Sequence, residues 1–280
     1  MILVTTPRGG VGREVVRELR ARGVEPRLAE RLDFRDPRTF DDAVRGCTGL
    51  FLLRPPAIAN TRTTLNVLVE RARAAGVSTI VFLSVAGADT NPIVPHHQVE
   101  RALRAGPADW TILRPGFFAQ NFETAYVRDI REDDRVYVPA GRGQVAFVDV
   151  RDLAAVAAAV LVAPAAHHAR GYTLTGGQAI TFDEAAAQLS AAIGRPVRYQ
   201  AASIPGYARH LHRRGLPAAQ IAVQTILHVG LRFGQAAGID PTLGELLGRP
   251  PRTFAQYVRD SADLFARVRA YPRGRCEPSS

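Results

Sequence analysis

Apolar residues follow two rhythms along this chain, and their alternation predicts its architecture. Short runs at 1–4, 50–53 and 80–83, and the mostly apolar run 110–113, place apolar side chains at consecutive positions. Between them Val15, Val16 and Leu19, then Leu65, Leu68, Val69 and Ala72, recur at helical spacing. The first rhythm belongs to strands buried on both faces, the second to helices with one buried stripe. Strands are predicted at 1–4, 23–28, 50–53, 78–84 and 110–113, with 31–34 following the second almost at once. Helices are predicted at 13–22, 36–44, 61–75 and 95–105. Strands separated by helices make an α/β protein, with a doubly wound parallel sheet covered on both faces.

The second half continues less regularly. Strands are predicted at 135–138, 145–150, 172–174 and 196–201, and a helix at 152–162. Thr181 and Glu184 have the spacing of a capping box, which opens another helix. The stretch 204–268 is helical, with breaks at Gly215 to Pro217, at Gly238 and at Gly248 to Pro251. Asp149 suits a turn and Asp152 a helix cap. The organisation expected is a nucleotide-binding domain at 1–150, a smaller, mostly helical substrate lobe at 151–270 interleaved with the sheet, and a disordered tail at 271–280.

Composition narrows the function classes. The net charge is +10, and all 36 basic residues are arginine. Without lysine there is no Schiff base, no Walker lysine and no lysine-assisted tyrosine. The arginines are scattered over helix faces and are not interleaved with aromatics, which argues against nucleic acid. The two cysteines, Cys47 and Cys276, suggest neither a disulfide nor a metal framework, and no metal is expected. Neither a leader nor a membrane span is recognisable, so a cytoplasmic protein is expected.

Candidate chemistry clusters where such sheets bind ligands, beyond the carboxyl ends of the strands. The first of these ends is Thr5-Thr-Pro-Arg-Gly-Gly-Val-Gly12, running into a helix. Backbone N–H groups there can cradle a phosphate, so Gly9, Gly10 and Gly12 are candidates. Thr6 stands where the dinucleotide fingerprint has its first glycine, and Arg8 can neutralise an anion. Arg54 follows the third strand, at a cleft position. His96 and His97, with Ser84 at a strand end, are candidates for moving protons. Adjacent histidines point to different helix faces, so one at most enters the cleft.

These residues resemble the NmrA-like branch of atypical short-chain dehydrogenases. The likeness rests on 2–12, 78–87, Asp109-Trp-Thr-Ile-Leu-Arg-Pro-Gly-Phe-Phe-Ala-Gln-Asn121, Val145-Ala-Phe-Val-Asp-Val-Arg-Asp-Leu-Ala154, and a late Leu-Gly-Arg-Pro-Pro-Arg-Thr-Phe254. It implies a Rossmann-like sheet that binds NAD(P), with a small C-terminal α/β lobe. Three departures stand out. Thr6 replaces a glycine. About a dozen residues are missing after Leu28, enough to delete one edge strand and its helix. The dehydrogenase Tyr and Lys positions hold Pro92 and His96. The resemblance further implies that Arg31 meets a 2′-phosphate and that Asp33 and Phe34 line adenine. It places Phe117, Phe118, Gln120 and Asn121 on the substrate pocket, with Tyr207 and His228 facing it from the C-terminal helices, where His210 and His212 lack metal-ligand spacing.

Three functions are expected from this. The first is NAD(P)H-linked reduction of a small hydrophobic, aromatic or quinone-like molecule. The second is a cyclase, isomerase or dehydratase that uses no cofactor and works through histidine acid/base chemistry. The third is a non-catalytic NADP- or redox-sensing regulator. NADP(H) or no cofactor, a small-molecule substrate and a homodimer complete the expectation.

Overall fold

The computed structural model describes residues 1–107 and 109–266. In chain order its elements are β1 (Ile2–Val4), α1 (Gly10–Ala21), β2 (Arg27–Leu28), α2 (Phe40–Val44), β3 (Gly49–Leu53), α3 (Leu65–Ala74), β4 (Thr79–Leu83), α4 (Pro95–Arg104) and β5 (Trp110–Pro115). They continue with α5 (Asn121–Thr124), α6 (Val127–Asp133), β6 (Arg135–Val138), β7 (Gln144–Ala146), α7 (Val150–Val162), β8 (Arg170–Leu174), β9 (Ala179–Thr181) and α8 (Phe182–Ile193). The last are β10 (Arg198–Ala201), α9 (Ile204–Arg213), α10 (Ala218–Arg232), α11 (Thr242–Leu247) and α12 (Phe254–Asp260).

The main sheet has the order β2-β1-β3-β4-β5-β8, and every pairing in it is parallel. Period-two alternation explains why its strands are apolar at consecutive positions. Leu50, Leu52, Ile80, Phe82 and Ile112 enter one core with α3 and α4. Phe51, Val81, Leu83 and Leu113 enter the opposite core with α1 and α7. From edge strand β2 the chain passes through α2, with no strand between, to β3 on the far side of β1. No strand lies outside β2 among the described residues, so the sheet is one edge strand short, as the missing residues imply. Residues 31–34 form no strand, and Phe34 is buried in the α2–α3 core.

The second lobe has its own core. Two small sheets, β10-β6 and β7-β9, carry α5, α6, α8, α9, α10 and α12 around Phe122, Phe147, Phe182 and Phe254. The predicted capping box forms: Thr181 Oγ1 accepts from the Glu184 N–H, and Glu184 accepts from the Thr181 N–H. The main sheet draws elements from both sides of residue 150, because α7 packs on α1 and β8 completes the sheet. The expected tail at 271–280 lies outside the described residues. Among those described, no helix is long and apolar enough to cross a membrane.

Two local expectations are corrected. The strand at 145–150 shrinks to β7, because Val148 instead bridges Phe118. Helix α7 starts at Val150, so Asp149 is its cap and accepts from the Arg151 N–H. Asp152 lies inside the first turn, fully buried. Its carboxylate accepts from Arg249 Nη2 at 2.6 Å, from the Arg252 N–H at 2.6 Å and from the Arg252 guanidinium. This fastens the loop before α12 to the main sheet's helix layer.

Removing one partner of a buried ion pair typically costs about 3–5 kcal/mol. Arg249 and Arg252 keep partial access to water. Asp152→Ala is therefore expected to lower unfolding free energy by about 2 kcal/mol, read by urea denaturation. A change below about 0.5 kcal/mol, the usual range of a surface substitution, contradicts this anchoring role.

Candidate functional site

The turn between β1 and α1 is built by close approach. A Cβ on Gly12 would lie 2.2 Å from the Thr6 carbonyl oxygen, nearer than real Cβ atoms come. Only glycine lets α1 settle against this turn. Thr6 itself has φ of 50°, the left-handed region that a β-branched residue resists. The site thus keeps the conformation usually given to glycine and forces threonine into it. Gly9 is the N-cap of α1 and supplies no side-chain cap. The first intrahelical bond is the Arg13 N–H to the Gly9 carbonyl. The N–H groups of Gly10, Val11 and Gly12 precede it at the positive end of the helix dipole. Gly10 has open space where a side chain would stand.

Beside the turn, Arg8 is exposed and pairs with Glu30 at 3.2 Å. Arg31 is exposed, while Phe34 is turned away into the core. Asp33 accepts the Arg35 N–H at 2.9 Å.

Beyond β3, Arg54 turns inward. Its Nη1 donates to the carbonyls of Pro55, Pro56 and Ile58 at 3.1, 3.3 and 2.6 Å, and its Nε donates to His96 Nε2 at 3.2 Å. Arg54 therefore shapes its own loop instead of presenting a free cation. His96 is buried against Phe82. Burial, and then the charge of Arg54, push its pKa down to about 3. The ring is neutral at physiological pH and serves Arg54 as an acceptor. His97 binds the Ala88 carbonyl through Nδ1 at 2.7 Å. Ser84 donates to Glu100 Oε1 at 2.6 Å, and Arg114 holds the same carboxylate with Nε at 2.9 Å and Nη2 at 2.8 Å. All three residues of this network are buried. Ser84 is thus engaged with Glu100, not with either histidine, and the structure does not assemble the expected Ser–His group.

The turn after β5 is better assembled. Gln120 donates to Asp149 Oδ1 at 3.0 Å and accepts the Val150 N–H at 3.0 Å, welding this turn to the start of α7. Phe117 is half-buried and lies edge-on to Phe147 and His228. Phe118 packs against the α1–α7 core. Asn121 opens α5, and its carbonyl accepts from Ala125 and Tyr126. Tyr207 and His228 are buried inside the lobe and do not face open space. Tyr126 OH meets His228 Nε2 at 2.5 Å, and His228 Nδ1 meets the Gln224 carbonyl at 2.6 Å. These contacts fix the tautomer with the proton on Nδ1. Burial pushes His228 down to about 4, against a smaller upward pull from the Gln224 carbonyl. His210 is likewise engaged, with Asp129 at 2.9 Å, and His212 is exposed. No group of three His, Cys, Asp or Glu able to hold a metal occurs among the described residues. Cys47 is buried, and burial raises its thiol pKa.

A model of the NmrA-like family matches residues 8–245. The chain belongs to this family. It is 33% identical to an NAD(P)H azoreductase of Xenophilus azovorans, over 95% of this chain and 99% of that protein. The NADPH complex of Escherichia coli quinone oxidoreductase QOR2 superposes with a TM-score of 0.81 at 27% identity, covering 93% of this chain and 99% of that one. The NADP(H) complex of Citrobacter sp. triphenylmethane reductase gives 0.80 at 26%, covering 94% and 100%.

For this NmrA-like chain the glycine cradle fits a dinucleotide pyrophosphate: its first-turn N–H groups precede the helix's own bonds, Gly10 stands against open space, and Gly12 admits no Cβ beside the Thr6 carbonyl. Sequence reasoning passed over Glu30, Tyr126 and Asp129. Glu30 had a signal, an acid about twenty residues past the glycine turn. Tyr126 and Asp129 had none, since their partners lie on distant α9 and α10.

Gly12→Ala is expected to destabilise the fold by about 1–3 kcal/mol through overpacking of the turn, measured by chemical denaturation. A neutral result contradicts the close approach. Acid should also weaken the protein. Unfolded histidine takes up a proton below about pH 6.5, which buried His96 and His228 cannot do until far lower. Their contribution is complete above pH 6.5 and is lost as pH falls toward 4 and 3. Each accounts for up to about 1.4 kcal/mol per pH unit in that window. Unfolding of wild type and His228→Gln at pH 7 and 5 measures it: the variant should show the shallower loss, and equal losses contradict the assignment.

Proposed function

We propose that the chain is an NAD(P)H-dependent oxidoreductase that reduces a small aromatic or quinone-like molecule. The observation that carries this reading is the glycine cradle, in which Gly12 lies against the Thr6 carbonyl and three N–H groups precede the first bond of α1. Likeness over nearly full length to reductases of azo, quinone and triphenylmethane compounds supports the substrate class.

In this reading Gly10, Val11 and Gly12 hold the pyrophosphate, with Arg8 and Arg31 near the adenosine end. The reduced nicotinamide supplies a hydride when bound. The loop held by Arg54 and the turn held by Gln120 form the walls of the cleft. Phe117 and Phe118 present apolar surface there and exclude water. No Tyr–Lys pair is present, and His96 is neutral. Acceptors that need no buried proton donor suit such a site. A quinone is such an acceptor, since the aryl oxide left on its reduction would need only a proton from water. The histidine-dependent non-redox reading is disfavoured by the same facts, because His96 serves Arg54 and Ser84 serves Glu100.

Titration with NADPH, followed by nicotinamide fluorescence, should show saturable binding. Adding a simple benzoquinone should then consume NADPH stoichiometrically. Absence of binding at millimolar concentration of both NADPH and NADH would sink the proposal.

A further inference from the structure

Helix α10 turns an apolar side outward. Val223, Ile226 and Leu227 are exposed on one face, Ile226 to 70%, while the opposite face buries His228 and Leu231. Phe233, just past the helix end, is 79% exposed. A groove of about 510 Å³ opens between α9 and α10, lined by Ala208, Ile221, Ala222 and Ile226 beside Arg209 and His212. Clustered apolar exposure of this kind marks a surface that meets something. Charge narrows what it meets. The chain carries 26 acidic residues, yet none stands between Glu184 and Asp240. Arg209 and Arg213 on α9 and Arg232 at the end of α10 are exposed, whereas Arg214 turns to Asp129 and Glu132. The complement of an apolar stripe with an arginine rim is apolar and anionic. A second copy of this chain, with its net charge of +10, would set one arginine rim against another.

We propose that α9 and α10 dock this lobe on an anionic lipid surface. Helix α10 lies flat on the bilayer and does not cross it. Val223, Ile226, Leu227 and Phe233 enter the boundary of the acyl chains, and Arg209, Arg213 and Arg232 stay among the headgroup phosphates. This is how an interfacial helix divides its contacts. The buried side of the same helix reaches the cleft, because His228 lies edge-on to Phe117 with ring centroids 5.8 Å apart. Docking therefore brings the lipid to within one helix of the aromatic wall. A consequence, which rests on the NAD(P)H reading above, is that the quinone-like acceptor is lipid-soluble and is taken up at the bilayer.

Flotation of the full chain with vesicles tests the docking, using phosphatidylcholine alone or an equal mixture with phosphatidylglycerol. Wild type should float with the anionic vesicles, not with the neutral ones, and should be released as salt rises. Val223→Ser combined with Ile226→Ser should weaken that binding by at least about tenfold. Arg209→Gln combined with Arg213→Gln should weaken it by about tenfold. All four side chains are exposed, so the fold should persist, and circular dichroism verifies it. Wild type that ignores anionic vesicles, or a serine variant that binds them as wild type does, refutes the docking. A dimer that ignores vesicles and that the serine variant splits gives the face to a second copy and refutes it too. With a long-chain benzoquinone held in anionic vesicles, the serine variant should consume NADPH more slowly than wild type, and with a water-soluble benzoquinone equally fast. Equal rates with both overturn the link to the acceptor. Flotation needs no cofactor, so if the chain binds no nucleotide the reductase reading falls while the docking is still decided.

Discussion

The approach of α1 to the end of β1 is the constraint on which the site depends. Gly12 leaves no room for a single carbon between the helix and the Thr6 carbonyl. That contact sets where α1 begins and leaves its first N–H groups ahead of any intrahelical partner. It also lets Val15, Val16 and Leu19 reach the core they share with α7. A left-handed Thr6 is the cost, on the order of 1–2 kcal/mol, and it is tolerated because the packing of the helix over-determines the turn.

The other cleft walls are held by buried polar groups instead of by close approach. Arg54 binds its own loop and His96, Glu100 joins Ser84 to Arg114, and Gln120 joins the β5 turn to α7. Each network satisfies groups that would otherwise be costly to bury. Each also withdraws a reactive side chain from proton chemistry. What is left is a scaffold with a place for an anionic dinucleotide and an aromatic wall, in which Ser84, His96 and His97 are not joined into an acid–base group. That combination suits chemistry supplied by a cofactor.

Most of the fold was legible because period-two and helical spacing leave direct traces. The consecutive apolar residues of β3 and β4 already implied burial on two faces, and the gap after Leu28 implied a lost edge strand. The limits of β7 and α7 were less legible. There a lone Phe118–Val148 bridge and the Asp149 cap override local propensity. The glycine turn was readable from spacing alone. Tyr207 and His228 were not, because whether a helical side chain faces a cleft or a core depends on Tyr126 and Gln224, partners that no local pattern reveals. His96 misled for the same reason: its chemistry is set by Arg54, far away in sequence.

The central claim is that the N–H groups opening α1 receive the dinucleotide. Hydrogen–deuterium exchange of the full chain, with and without NADPH, addresses those groups directly. The account predicts that saturating NADPH slows exchange in a peptide spanning residues 6–13 more than in peptides from the outer helices α3 and α12. NADPH that binds while exchange at 6–13 stays unchanged contradicts it.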